Sequence, residues 1–244
     1  MKQRPHAPAH ISVFVLLILC ALSPARAQQL AAAADASNLD SLAQEVISEI
    51  NLARTRPAEY AASLDQLRPH FKGKEYRHPG RPALLTEEGP AALEEALKFL
   101  RASKPLPPLQ VAGGLCSGAR LLVEDQAATG ATGHKGSDGG FCEQRLRRFG
   151  TWQGDIGENL TYGSETSRER VLTLLIDDGF ANRGHRLRIL NPDYKVIGVA
   201  CGPHQMGAAC VINFAGGFTD GPAGPTADKK SAPAPKLPAG AKRF

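Results

Sequence analysis

Three side chains of this 244-residue chain stand where their chemistry could be used: His134, Glu158 and His185. Glu158 shares one face of a predicted strand with apolar neighbours, and it needs a partner because an unpaired buried carboxylate is costly. His185 begins a short helical segment, whose positive end favours the neutral imidazole that binds metals. His134 lies in a glycine-rich loop, a common place for functional residues. Each residue also has a plain structural interpretation: an ion-paired glutamate, a packed histidine and a solvated loop histidine.

A Ser–His–acid hydrolase has to be considered, because Ser137 and Asp138 follow His134 closely. A nucleophile of this kind needs a sharp exposed turn and an oxyanion hole. The segment GHKGSDG lacks the GxSxG elbow, and the chain has no HExxH motif. We therefore expect Asp138 to pin its own loop. The sequence favours a binding function, and hydrolase chemistry is the alternative.

Two long apolar segments, residues 194–201 and 209–218, predict a β-hairpin. They are rich in Val, Ile, Ala and Phe, and a short polar connection joins them. Apolar residues occupy both parities of each segment, so both faces of the hairpin must be covered. We therefore expect an α/β (α+β) fold, a three-layer α–β–α sandwich with a small, mainly antiparallel central sheet and helices on both faces.

Helices that could cover this sheet are predicted from apolar residues spaced near the helical period. The first begins with Asn38 as its N-cap and ends at Arg56, after which Pro57 opens the second. Thr86 is predicted to cap the third. The remaining elements are a helix over residues 115–129, a short basic helix over 141–149, a strand over 155–162 and a helix over 168–177.

Both ends of the chain are predicted to lie outside the folded domain. Residues 1–27 have a basic start, a short apolar stretch and an A-x-A site, which indicate a cleaved signal peptide and no transmembrane segment. Residues 28–38 form an alanine-rich leader that we expect to be mobile. Residues 219–244 form a Pro/Ala/Lys-rich tail that we expect to be disordered. The protein is therefore predicted to be secreted, either extracellular or periplasmic.

The formal net charge of +5 comes from these ends. Residues 1–27 contribute +3 and the tail from Thr219 another +3, which leaves −1 for the folded part. A nucleic-acid partner is therefore not expected. The basic tail could make a weak contact with anionic polymers of the cell envelope.

Four cysteines remain once Cys20 leaves with the signal peptide: Cys116, Cys142, Cys201 and Cys210. An even number in an exported chain predicts two disulfides. Cys201 and Cys210 bracket the predicted hairpin turn, where a cross-strand bond fits, and this leaves Cys116 to pair with Cys142.

Three segments occur in a fixed order: GHKGSDG at 133–139, GENLTYG at 157–163 and GHRLRILNPDYKVIGVACGPH at 184–204. In that order they resemble the CAP superfamily, or SCP domain, which includes cysteine-rich secretory proteins, insect venom antigens and plant pathogenesis-related proteins. The resemblance covers residues 39–218 and is closest to bacterial exported CAP proteins. It implies a three-layer α–β–α sandwich, in agreement with the doubly covered hairpin.

The resemblance also implies a cleft with two histidines and two acidic residues, sometimes with a bound metal. His134, Glu158 and His185 match three of these positions, and Asp177 or Asp178 stands where the family usually has a glutamate. We therefore expect the three to converge on a divalent ion, with zinc as the expected metal and one of the aspartates as a fourth ligand. The predicted function is a secreted binding module whose cleft holds a metal, small ligand, lipid or peptide. The alternative is a metal-assisted or His/Glu-based hydrolase.

Overall fold

The structure is a computed structural model that describes residues 24–78, 80–163 and 165–221, with side chains from residue 37 onward. The chain divides into two units, Met1–Asp35 and Ala36–Phe244. Most of the predicted signal peptide and of the predicted tail lies outside the described residues, so both remain predictions.

Helix α1 spans Pro24–Thr55. The predicted start at Asn38 is therefore wrong, and the backbone of the leader predicted to be mobile is helical. The physical reason is composition: residues 31–34 are four successive alanines, and alanine has the highest helix propensity.

Prolines open the next two helices. Pro57 begins α2 (Pro57–Asp65), as predicted. A small three-stranded sheet then follows, formed by β1 (Phe71–Lys72), β2 (Glu75–Tyr76) and β3 (Leu84–Leu85). Helix α3 spans Pro90–Ala102 with Gly89 before it. Thr86 does not cap this helix, because its hydroxyl donates to the carbonyl oxygen of Lys74 at 2.6 Å.

The rest of the domain follows the predicted order of elements, except that the short strand β4 was not predicted. In chain order these are β4 (Gln110–Val111), α4 (Gly113–Thr129), α5 (Cys142–Leu146), β5 (Gly150–Gly163), α6 (Ser167–Ile176), α7 (Gly184–Ile189), β6 (Val196–His204) and β7 (Gly207–Asp220). Strand β7 continues two residues into the segment predicted as tail. There, Asp220 Oδ1 accepts a hydrogen bond from the backbone N–H of Gly114 at 2.8 Å, so this carboxylate holds the start of α4.

The central sheet has the strand order β4-β6-β7-β5. Strands β6 and β7 form the predicted antiparallel hairpin, and β5 pairs antiparallel with β7. Only the short β4 runs parallel to its neighbour β6. The sheet is therefore mainly antiparallel, and the long strand β5 forms one of its edges.

Helices cover both faces of this sheet, as the two apolar parities predicted. Ile197 and Val199 of β6 pack in one core with residues of α1, α2, α3 and α6. Ala200 of β6 and Val211 of β7 pack on the other face, against α4. Gly202 allows α4 to approach, since an added Cβ there would lie 2.1 Å from the Cγ1 atom of Val123. The molecule is a three-layer α–β–α sandwich.

One of the two predicted disulfides is present. Cys201 and Cys210 are opposite each other in the hairpin, with Cα atoms 4.1 Å apart, and are bonded. The predicted bond between Cys116 and Cys142 is wrong, because both are free thiols. Instead, the Cys142 thiol donates to Oδ1 of Asn213 at 3.4 Å. Burial raises the pKa of Cys142 to about 12 and also raises the pKa of Cys116, so both thiols stay protonated.

Candidate functional site

Glu158 lies in the buried part of β5, and its side chain is only 4% exposed. Its Oε1 atom is 2.9 Å from Nδ1 of His134. Its Oε2 atom accepts a hydrogen bond from Nη2 of Arg145 at 2.6 Å. Both carboxylate oxygens are therefore paired, which offsets the cost of burying the charge. The expected partner of Glu158 is thus both a histidine and an arginine.

Arg145 is a site residue that the sequence analysis missed. It lies in α5 and is buried. Besides the carboxylate of Glu158, its Nη1 atom donates to the carbonyl oxygens of His134 at 3.1 Å and Gly140 at 3.2 Å. One guanidinium therefore joins α5, strand β5 and the loop that carries His134. The sequence indicated only that Glu158 could be ion-paired. It gave no indication of which arginine would be the partner.

His185 has its own carboxylate, supplied by Asp177. Asp177 is the C-cap of α6, in a left-handed conformation with φ 58°, and its side chain is 0% exposed. Its Oδ1 atom is 2.6 Å from Nδ1 of His185. Its Oδ2 atom accepts from the backbone N–H groups of His185 at 2.8 Å and Arg186 at 3.2 Å. Burial alone raises the pKa of Asp177, but the hydrogen bonds from His185 and the two amides outweigh it and lower the pKa.

Asp178 points elsewhere. Its two carboxylate oxygens accept from the backbone N–H groups of Glu87 at 2.7 Å and Glu88 at 2.9 Å, just before α3. Of the two candidate aspartates, only Asp177 is therefore hydrogen-bonded to His185.

The two histidine–carboxylate pairs lie on either side of the edge strand β5. Glu158 and Asn159 are consecutive in that strand, so their side chains leave opposite faces. Glu158 holds His134 on one face, while Nδ2 of Asn159 donates to the carbonyl oxygen of His185 at 3.1 Å on the other. The part of the chain that the structure describes contains no group of three His, Cys, Asp or Glu side chains arranged to hold a metal ion. The three-ligand zinc site remains a prediction.

Both imidazoles are held at Nδ1 and open at Nε2. A carboxylate that accepts from Nδ1–H leaves the lone pair on Nε2. Among the described residues, neither Nε2 atom has a hydrogen-bond partner. The side chain of His134 is 45% exposed and that of His185 is 17% exposed. The ring of Phe180, itself 54% exposed, stands edge-on to His185 with the ring centroids 4.8 Å apart.

A cluster of charged residues fixes the loop that leads to His185. Arg183 has a left-handed backbone with φ 49°, and its guanidinium donates to Glu88 and Glu95, each at 2.6 Å. It also donates to the carbonyl oxygen of Asp177 at 2.8 Å. The segment between Asp177 and His185 is therefore tied to helix α3 and to the residues before it.

The residues proposed for hydrolase chemistry are used differently. The hydroxyl of Ser137 donates to the carboxylate of Asp125, not to His134. No hydroxyl or thiol of the described residues is hydrogen-bonded to either His134 or His185. Asp138 accepts from the backbone N–H of Gly140 at 2.8 Å, which confirms that it pins its own loop. The hydrolase alternative gains no nucleophile from this geometry.

Residues 94–214 match the family model described as the cysteine-rich secretory protein (CAP) family. This part of the chain is a CAP domain. The matched residues include both histidine–carboxylate pairs. Among curated proteins, none matches the chain significantly.

The chain is also similar to several solved bacterial proteins. An extracellular protein containing a SCP domain from Bacillus anthracis has 22% identity and a TM-score of 0.35, over 45% of this chain and 34% of that one. An outer surface protein from Borrelia burgdorferi has 18% identity and a TM-score of 0.39, over 51% and 86%. A cysteine-rich secretory protein from Staphylococcus aureus has 17% identity and a TM-score of 0.34, over 63% and 48%. The match therefore spans about a third of the Bacillus protein.

In the described part of the chain, no helix combines the length and apolarity needed to cross a membrane.

Proposed function

We propose that the CAP domain is an exported binding module whose ligand spans the open edge of strand β5, where it contacts the Nε2 atom of His134 on one face and that of His185 on the other. The observation that carries this proposal is the state of the two rings. Each is fixed through Nδ1 by a buried carboxylate, Glu158 or Asp177, while its Nε2 has no partner among the described residues. A ring held in this way is oriented to offer its lone pair to a ligand.

A structural histidine of the same chain supports the distinction. His204 is 8% exposed, and both of its ring nitrogens are used. Its Nε2 atom is 3.1 Å from the carbonyl oxygen of Ala131, and its Nδ1 atom accepts from the backbone N–H of Met206 at 3.3 Å. His134 and His185 each have one ring nitrogen that no described residue contacts by a hydrogen bond, as expected of residues that bind something outside the chain.

A divalent ion such as zinc, or a small ligand with an N–H or O–H donor, suits a free Nε2 atom. Direct metal binding by Glu158 would require the release of His134 or Arg145, because both of its oxygens are engaged. We therefore assign Glu158 and Asp177 to the orientation of the imidazoles rather than to metal coordination. Zinc, when bound, would supply a Lewis acid; the chain supplies two oriented imidazoles.

Export is part of the proposal. The bond between Cys201 and Cys210 is typical of proteins that fold in an oxidising compartment. Together with the predicted signal peptide, it supports an extracellular or periplasmic location.

Two measurements test the proposed function. Calorimetric titration with zinc chloride should show binding by the wild type that weakens at least tenfold in His134→Ala and in His185→Ala, whereas His70→Ala serves as the matched control. Native mass spectrometry of protein purified from its own cell envelope should show a bound ligand that the double alanine variant lacks. If zinc binds all variants equally or none, the metal is ruled out. If the purified protein also carries no ligand, the binding function is ruled out as well.

A further inference from the structure

A cavity lies among the C-terminal end of α1, the proline-rich segment before β4 and the start of β6. Its volume is about 220 Å³, which is below the usual range of small-molecule sites and suits a small ligand. Its lining includes two basic residues, Arg54 and Lys195, and none of the residues of the two histidine–carboxylate pairs. It is therefore separate from the histidine site.

Arg54 forms the buried wall of this cavity, with only 1% of its surface exposed. Its Nε atom donates to the carbonyl oxygen of Pro107 at 3.2 Å, and its Nη2 atom to that of Tyr194 at 3.2 Å. Its Nη1 atom donates to the carbonyl oxygens of Ile189 at 2.7 Å and Asn191 at 2.9 Å. A guanidinium has five N–H donors, so one N–H of Nη2 has no acceptor among the described residues.

The charge of Arg54 is not matched by an acid. No carboxylate of the described residues forms an ion pair with it. By contrast, the buried guanidiniums of Arg145 and Arg186 are paired with Glu158 and Glu95. Carbonyl dipoles stabilise a cation without cancelling its charge, and burial lowers the pKa of Arg54 to about 10. The cavity wall therefore carries a desolvated positive charge.

The remaining lining adds a second cation and an apolar surface. Lys195 is exposed, donates to the carbonyl oxygen of Pro192 at 2.6 Å and has no ion-pair partner in the described chain. Its neighbour Asp193 is exposed, does not line the cavity and is paired with neither cation. The apolar residues Pro107 and Pro108 also line the cavity, together with Tyr194.

We propose that this cavity binds a small organic carboxylate. The anion would accept a hydrogen bond from the remaining Nη2–H of Arg54 and face the ammonium group of Lys195. The apolar body of the ligand would pack against the prolines. Two unmatched cations select an anion, and the apolar lining selects an organic one over an inorganic ion.

The test uses the full chain labelled with ¹⁵N and two probes with the same ring, sodium benzoate and neutral benzamide. Benzoate should shift the amide signals of Gln110, Lys195 and Val196 in a saturable way, and benzamide should not. Lys195→Met should weaken benzoate binding about three- to fivefold, the effect of one partly screened charge. Lys98→Met is the matched control, because Lys98 lies exposed on α3, outside the cavity lining, and forms no ion pair with the residues that the structure describes. The benzoate affinity of Lys98→Met should match that of the wild type.

Arg54 itself is not the residue to change, because its four carbonyl bonds join separate segments and its loss could unfold the domain. Equal shifts with benzoate and benzamide would show that charge plays no part. An unchanged benzoate affinity in Lys195→Met, with an unchanged melting temperature, would contradict the proposal that Lys195 faces the bound carboxylate. The absence of any saturable shift at millimolar benzoate would overturn the proposal.

Discussion

Arg145 offers the sharpest perturbation of the histidine site. The change Arg145→Met keeps an unbranched apolar side chain in place of the aliphatic part of the arginine and removes the guanidinium with its charge. It would leave the Oε2 atom of Glu158 without its 2.6 Å partner in a place where that side chain is 4% exposed. His134 would keep its hydrogen bond to Oε1 of the same carboxylate.

The expected loss of stability is large. Removing one partner of a buried ion pair costs about 3–5 kcal/mol. The two bonds from Arg145 to the carbonyl oxygens of His134 and Gly140 add less, because the loop is partly exposed and water can replace the guanidinium. We therefore expect Arg145→Met to lower the free energy of unfolding by about 3–4 kcal/mol. Adding Glu158→Gln should restore about 1–2 kcal/mol of this, because the unpaired charge is then absent.

Urea unfolding with the disulfide intact measures this effect as a shift of the midpoint at constant slope. The matched control is Arg148→Met, since Arg148 lies close by in sequence, is exposed and makes no side-chain hydrogen bond or ion pair in the described chain. Its effect should stay within about 0.5 kcal/mol. A loss below 1 kcal/mol for Arg145→Met, or no recovery in the double variant, would refute the buried ion pair as the basis of the site.

Three further predictions concern Asp177, the end of the domain and the thiols. The pKa of Asp177 is lower in the folded state than in the unfolded chain. Its contribution to the free energy of unfolding is therefore fully present above about pH 4, the unfolded pKa, and is lost as the pH falls through the folded pKa. Urea unfolding should show that the difference in the free energy of unfolding between wild type and Asp177→Asn shrinks below pH 4. Truncation after residue 218 should cost about 1 kcal/mol because it removes Asp220 from the start of α4, whereas the melting temperature should not change on truncation after residue 221. Iodoacetamide at pH 8 should label the two free thiols of the native protein slowly, since burial raises the pKa of both, and mass spectrometry of the intact protein would show rapid labelling if this is wrong.

The layers of the fold could be predicted because they depend on a local pattern. Apolar residues on both parities of the hairpin require cover on both faces, whatever the partners are. Helix starts were less predictable. Thr86 has the right type for a cap, but its hydroxyl is taken by Lys74 from another turn of the chain, a contact that no local pattern shows.

The site could be predicted only in part for the same reason. The burial of Glu158 and its need for a partner follow from strand alternation. The choice of Arg145 depends on how the short helix α5 packs on β5, which the sequence does not specify. The prediction that Cys116 pairs with Cys142 was made by elimination and is wrong. A count of cysteines cannot show that the Cys142 thiol is hydrogen-bonded to Asn213.

The most direct test of the central claim is the tautomeric state of the two imidazoles, observed by long-range ¹H–¹⁵N NMR of the wild type at pH 8 without ligand. We expect His134 and His185 both to carry the proton on Nδ1, facing Glu158 and Asp177, and to leave Nε2 unprotonated. Protonation of Nε2 in either neutral ring would mean that the carboxylate does not hold that imidazole, and it would contradict the account.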